Sequence, residues 1–195
     1  MAMRTTLNGA CVDAHDARWD LVAGPAPDAF RAAMRRVVVG VAVVATLRDS
    51  RPWGMTVSAF TPVCMEPPTL LICVNAATAT AADIERDRRF SLNLLSETQR
   101  GVSQRCAQPG ASKYIDQDVV SAHDLPTPAE MPVLLDSVAT FDCDASDIRT
   151  VGTHLVVIGA IRAILAPRTR RSLLYGQGNY LGSVALDTVS AGASA

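Results

Sequence analysis

Two short stretches of this chain combine residue types that could hold a flat, polar ligand. The first is Gly54-Met55-Thr56-Val57-Ser58-Ala59-Phe60. Alternate residues of a strand share a face, so Thr56 and Ser58 present two hydroxyls side by side. Small neighbours let the backbone come close to a planar heterocycle and offer N–H groups to its edge. Read alone, the segment also fits an ordinary strand with two outward hydroxyls. The second stretch, Asn75-Ala76-Ala77-Thr78-Ala79-Thr80, leads into a predicted helix. Amides and hydroxyls at a helix N-terminus suit a phosphate, and a plain helix cap is the competing reading. Ring-type site, spacer strand and phosphate-type site follow in one order. An isoalloxazine ring needs an environment like that of the first stretch: backbone donors on its pyrimidine edge and a donor near its reactive nitrogen.

Other chemistries find little support. The three histidines, His15, His123 and His154, stand at no ligand spacing, and no metal site is predicted. There is no G-x-x-x-x-G-K-[ST], no H-E-x-x-H and no G-x-S-x-G. Gly176-Gln177-Gly178-Asn179-Tyr180-Leu181-Gly182 approaches a dinucleotide fingerprint but lacks the third glycine at the right offset. A nicotinamide cofactor is therefore not expected on a Rossmann domain. With 18 basic against 19 acidic residues the formal charge is −1, which argues against nucleic acid or an anionic membrane as partner.

The elements that must position these residues fit one domain in 195 residues, 49% of them apolar and 19% charged. Residues 1–27 show no sustained period and are expected to form a flexible or partner-contacting arm. Asp28 is the expected N-cap of a helix from Ala29 to about Arg36. Val37 to Thr46 is so rich in valine that a strand covered on both faces is predicted, with Gly40 marking a bulge or a close neighbour. A turn over Asp49–Trp53 and strands at 55–64 and 69–75 follow. Thr80 and Asp83 resemble a capping box for a helix to about Arg88. Strand 90–95, a clearer box at Ser96–Gln99 with a helix to about Cys106, and a loop-rich stretch 107–133 come next. Long strands at 137–144 and 153–165, an edge strand at 173–175 and a fraying tail, 184–195, complete the chain. The helices are too few and short for repeated βαβ crossovers, so a mostly antiparallel barrel is predicted.

The five cysteines are odd in number and form no C-x-x-C pair, which predicts reduced thiols and a cytoplasmic protein. Cys106 and Cys143 read as core thiols rather than nucleophiles. Met1–Asp20 is polar and carries Asp13, Asp16 and Asp20, so no signal peptide is expected. The longest apolar run, Val37–Leu47, has 11 residues and is too short to cross a bilayer.

Taken together, several blocks in sequence order resemble the flavin reductase family over residues 28–182. They are Phe30–Arg36, Gly54–Phe60, Glu66-Pro67-Pro68, Leu71–Asn75, Phe90–Gln99, Gly152-Thr153-His154, Leu174-Tyr175 and Gly178-Asn179-Tyr180. Phe141-Asp142-Cys143 followed by Val151–His154 looks most like the reductases of phenol and chlorophenol monooxygenase systems. The resemblance implies a six- to seven-stranded antiparallel split β-barrel with short helices over 28–183. It implies reduction of FAD or FMN by direct hydride transfer from NADH or NADPH, and supply of reduced flavin to a partner flavin-dependent monooxygenase. It also implies a homodimer. Carried over residue by residue, it implies that Gly54, Met55, Thr56, Val57, Ser58 and Ala59 contact the ring. Asn75, Thr78 and Thr80 would hold the ribityl-phosphate end, His154 would act where the nicotinamide docks, and Tyr180 would line the same cleft. A lone histidine opening an apolar strand is also often structural. Thr153 stands where the family usually has an acidic or small residue, and 107–133 matches poorly. Two further readings stay open: a non-catalytic flavin-binding module, and a split-barrel oxidase of the pyridoxamine phosphate type. The latter would want more basic residues than a chain whose single lysine is Lys113.

Overall fold

Valine crowding does yield strand where it was expected, with a break after Gly40. The computed structural model describes residues 4–7, 10–13, 26–167 and 170–185, and the chain divides into two units, 1–37 and 38–195. In the first unit, β1 (Arg4–Leu7) pairs antiparallel with β2 (Ala10–Asp13). Helix α1 (Pro27–Met34) has Ala26 at its N-cap with no side-chain bond. Asp28 is therefore not the cap: Pro27, whose fixed φ suits the first helical position, starts the helix one residue ahead of it. Asp28 instead pairs with Arg31 at 2.5 Å in the first turn. The rest of the expected 1–27 arm, and 186–195 of the expected tail, lie outside the described residues.

The second unit contains β3 (Val39–Gly40), β4 (Ala42–Arg48), β5 (Arg51–Val57), β6 (Phe60–Met65) and β7 (Pro68–Asn75). Helix α2 (Ala79–Asp87), β8 (Arg89–Leu94), a 3₁₀ turn at Glu97–Gln99 and α3 (Arg100–Ala107) follow. The long strands β9 (Ala139–Val151) and β10 (His154–Leu165), and the short β11 (Leu174–Gly176) and β12 (Asn179–Leu181), come last. Seven strands form one antiparallel sheet in the order β5-β4-β8-β9-β10-β7-β6, and β12-β11-β3 form a small second sheet. The two edge strands of the large sheet, β5 and β6, are consecutive in the chain with only Ser58 and Ala59 between them. Edges joined so tightly require the sheet to curl on itself, which makes the expected split barrel. The expected turn over 49–53 shrinks to Asp49-Ser50, both at positive φ (50° and 61°), the geometry of a tight two-residue hairpin turn. Strand therefore begins at Arg51, and the expected 55–64 strand becomes β5 and β6 with the break at Ser58-Ala59.

β4 explains why its sequence lacks alternation. Ala42 and Val44 face a core inside the barrel with Ile72, Phe90, Leu92 and Val157. Val43 and Ala45 face a second core with Val102, Cys106, Ile115 and Leu134. Both faces are thus apolar, as a strand covered on two sides requires. Gly159 makes room for the first core: a Cβ there would lie 2.7 Å from Phe90 Cζ. The free edge of β5 is covered by the segment around Tyr114, where Gly54 N–H donates to the Lys113 carbonyl (2.9 Å) and Ile115 N–H to that of Pro52 (3.0 Å). Three buried polar groups lock the remaining pieces. Asp83 accepts from Thr46, Arg48 and Arg86 (3.0–3.3 Å) and fixes α2 against β4. Asn93 accepts from Thr140 (2.7 Å) and from the Leu134 amide (2.9 Å), which ties the loop before β9 to the sheet. Asp142 accepts from Arg89 (3.1 Å) and from the Glu130 amide (2.8 Å). No described helix is long and apolar enough to cross a membrane.

Candidate functional site

The last residues of β5 alternate strictly. Met55 and Val57 point into the barrel core, whereas Gly54 and Thr56 point toward α3. Thr56 Oγ1 donates to the Ser103 carbonyl of α3 at 2.7 Å, and Ser58 lies exposed where the strand breaks. Facing them, β12 delivers Tyr180, whose hydroxyl shares a 2.9 Å hydrogen bond with Ser103 Oγ. Tyr175 meets the Tyr180 ring edge-on at 5.4 Å between centroids, and the Arg100 guanidinium lies 5.6 Å from the same ring. Between these walls is an open cleft of about 390 Å³ lined by Val41, Thr56–Ser58, Arg100, Gln104, Ala107, Tyr175 and Gly178–Tyr180. That size and mixed lining suit a small planar ligand.

The phosphate-type stretch forms a second group. Helix α2 is capped by Thr78, whose Oγ1 accepts from Ala81 N–H at 3.2 Å, and not by Thr80. Asn75 Oδ1 accepts from Ala77 N–H at 2.9 Å, and Thr78 Oγ1 donates to the Asn75 carbonyl at 2.7 Å. Among the described residues, the amides of Ala79 and Thr80 have no partner, so the first turn of α2 keeps two donors available. Such amides, with the positive end of the helix dipole, suit a phosphate. Thr80 itself is 1% exposed, and its hydroxyl is buried without a partner. The expectation that its side chain meets a ligand is corrected: the helix turns it inward, and only its backbone N–H remains for the site.

Two residues expected at the ring are corrected as well. Gly54 is small because the core needs it so. A Cβ there would sit 3.0 Å from both Cys106 Sγ and Val43 Cγ1. Met55 is buried in the barrel core. Neither residue lines the cleft, whereas Thr56, Val57, Ser58 and Tyr180 do.

His154 opens β10, exposed, with Nδ1 2.9 Å from Thr153 Oγ1. It pairs with Asn75 across the ladder, and the Ala76 amide donates to the Thr153 carbonyl at 3.0 Å. It does not line the cleft. The two groups are linked through Ala59, whose carbonyl accepts from Cys73 N–H at 2.9 Å. Ala59 is two residues past Val57 and Cys73 two residues before Asn75, which in turn pairs with His154, so this bond joins the end of β5 to the strand that leads into α2. Sequence reasoning missed Arg100, Gln104 and Ser103. They lie on a helix whose start the capping box marked, but nothing local told which face of it would meet β5. Burial pushes the Cys106 thiol up to about 11 and the Cys143 thiol up to about 12, so both stay protonated and inert at neutral pH.

Comparison with known proteins now adds to this geometry. Residues 34–183 match the family model described as "Flavin reductase like domain". The chain is 30% identical over 158 residues to the reductase subunit HsaB of a flavin-dependent monooxygenase from Mycobacterium tuberculosis, covering 80% of this chain and 82% of that protein. It is 32% identical over 161 residues to a flavin reductase of Pseudomonas putida, covering 82% and 92%. Among solved structures, the flavin reductase PheA2 superposes with a TM-score of 0.71 at 25% identity, covering 83% of this chain and all (100%) of that one.

Proposed function

The chain belongs to the flavin reductase-like domain family, and from that premise we propose that it is an NAD(P)H-dependent flavin reductase that supplies reduced FAD or FMN to a partner flavin-dependent monooxygenase. The observation that carries this reading is an open cleft at the end of β5 whose next residues, through the Ala59–Cys73 bond, meet β7, the strand that leads into a helix start with two unpartnered amides. In this reading Thr56, Val57 and Ser58 would hold the flavin ring against the cleft wall, with Tyr180 on the other side. Asn75, Thr78 and the amides of Ala79 and Thr80 would hold the ribityl phosphate, and His154 would lie beside the nicotinamide. When bound, the flavin supplies a ring that accepts hydride and the nicotinamide supplies that hydride.

The side chains do no acid–base work in this reading. Their contribution is orientation, which is worth most when two rings must stack at about 3–3.5 Å. Thr56 spends its proton on the Ser103 carbonyl and so braces the strand, leaving backbone groups and the exposed Ser58 to face the ring. The cleft is open, which suits a flavin that arrives oxidised and leaves reduced. Arg100 is the one cation among the described cleft residues, which favours NADH over the more highly charged NADPH. The same scarcity of cations weighs against a pyridoxamine phosphate substrate.

A pair of chains is also part of this reading. Met65 is 74% and Ile164 54% exposed, beside a groove of about 350 Å³ walled by Phe60, Leu70, Leu94, Phe141 and Ile161. An apolar surface of this kind favours burial against a second copy. Cys64, Cys73, Cys106 and Cys143 are free thiols, which supports a cytoplasmic setting.

The test is to mix the protein with NADH and free FMN or FAD and follow the nicotinamide absorbance band. Steady consumption that depends on added flavin is expected. A bound flavin spectrum without turnover would replace this reading with the binding module, and neither binding nor turnover would remove it.

A further inference from the structure

We infer that Ser103 is a positioning residue that sets the width of the flavin cleft by holding both of its walls. Ser103 is fully buried, 0% exposed, in the middle of α3. Its carbonyl accepts from Thr56 Oγ1 at 2.7 Å, and its hydroxyl bonds Tyr180 Oη at 2.9 Å. Thr56 belongs to the large sheet and Tyr180 to the small one, so one buried residue joins the two sheets where the cleft lies between them. β12, which carries Tyr180, is the outermost strand of the small sheet and ladders only with β11. Among the described residues, the Ser103 bond is the one hydrogen bond from the Tyr180 side chain. Without it the ring keeps its packing on the second core and its contacts with Tyr175 and Arg100, none of which fixes the hydroxyl. The Ser103 hydroxyl is buried, so removing the Tyr180 hydroxyl leaves it without this partner, and removing the Ser103 hydroxyl frees the partly buried Tyr180 from the helix.

This inference rests on the reading of the cleft as the flavin site. The experiment therefore measures flavin KM and kcat, and flavin binding by fluorescence quenching, for Ser103→Ala, Tyr180→Phe, the double variant and Ser58→Trp. Ser103→Ala and Tyr180→Phe are each expected to raise flavin KM and Kd about three- to tenfold, with kcat changed less than KM. The double variant should be no worse than either single one, because both remove the same bond. Tyr180→Phe keeps the ring and tests the bond even if Ser103→Ala unfolds. A lowered Tm with unchanged KM and Kd would make Ser103 merely structural and overturn the inference, as would additive effects in the double variant. Ser58→Trp separates the two levels. If it blocks flavin binding while the Ser103 and Tyr180 variants bind normally, only the role of Ser103 falls. If it leaves binding intact, the cleft is not the flavin site and both readings fall.

Discussion

The two ends of the proposed flavin site are held in different ways. At the ring end, two polar side chains that line the cleft are bonded to one buried residue behind it: Thr56 to the Ser103 carbonyl, Tyr180 to the Ser103 hydroxyl. At the phosphate end, among the described residues, the Asn75 and Thr78 side chains bond within their own turn, and the helix start keeps amides without partners. One end is shaped before a ligand arrives and the other holds donors in reserve. A planar ring gains from a fixed slot, since orientation is what hydride transfer requires, whereas a phosphate needs donors that water can fill in its absence.

The comparison breaks most visibly at the ring end. Ser58→Trp places a bulky side chain in the cleft from an exposed position and should weaken flavin binding about a hundredfold, the equivalent of roughly 2.8 kcal/mol, with Tm unchanged. Fluorescence titration checks this, and equal affinity in the variant would refute the slot. Gly159→Ala is the counterpart in the fold. Its Cβ would collide with the Phe90 ring, so it should cost about 1–3 kcal/mol of stability, read from chemical unfolding, while flavin KM per folded molecule stays put.

How much of this was readable beforehand follows from particular residues. β4 was legible because its four leading residues, Ala42, Val43, Val44 and Ala45, face two cores in turn and leave no polar position among them to confuse the period. The Ser96 capping box was legible because both of its bonds are local. Gly54 was misread because its smallness serves Cys106 and Ile115, which are more than fifty residues away in the chain. Thr80 was misread because a threonine two residues beyond a better cap, Thr78, looks the same in sequence as a cap. The slot itself was half legible: Thr56 and Ser58 were visible as a pair, but Ser103, which bonds Thr56 and Tyr180, is a plain helix serine until the fold brings β12 beside it.

At the phosphate end the expected effects are smaller. Thr78→Ala removes the α2 cap and should cost about 1 kcal/mol of stability. It should also weaken FMN binding roughly fivefold, about 1 kcal/mol, and leave binding of riboflavin, which has no phosphate, unaltered. Parallel titrations of the two flavins decide it; equal losses for both would place the phosphate elsewhere. Smallest of all is Thr80→Val, which replaces a buried hydroxyl without a partner by a methyl group of similar shape. Stability should change by less than about 0.5 kcal/mol or rise, and FMN affinity should hold; a large loss of affinity would restore the side chain to the site.

The most direct measurement is a crystal structure of the protein with FMN. The account predicts the ring against the Thr56–Ser58 backbone, facing Tyr180, and the phosphate within hydrogen-bond distance of the Ala79 and Thr80 amides. A ring seated elsewhere, or a phosphate remote from the start of α2, would contradict it.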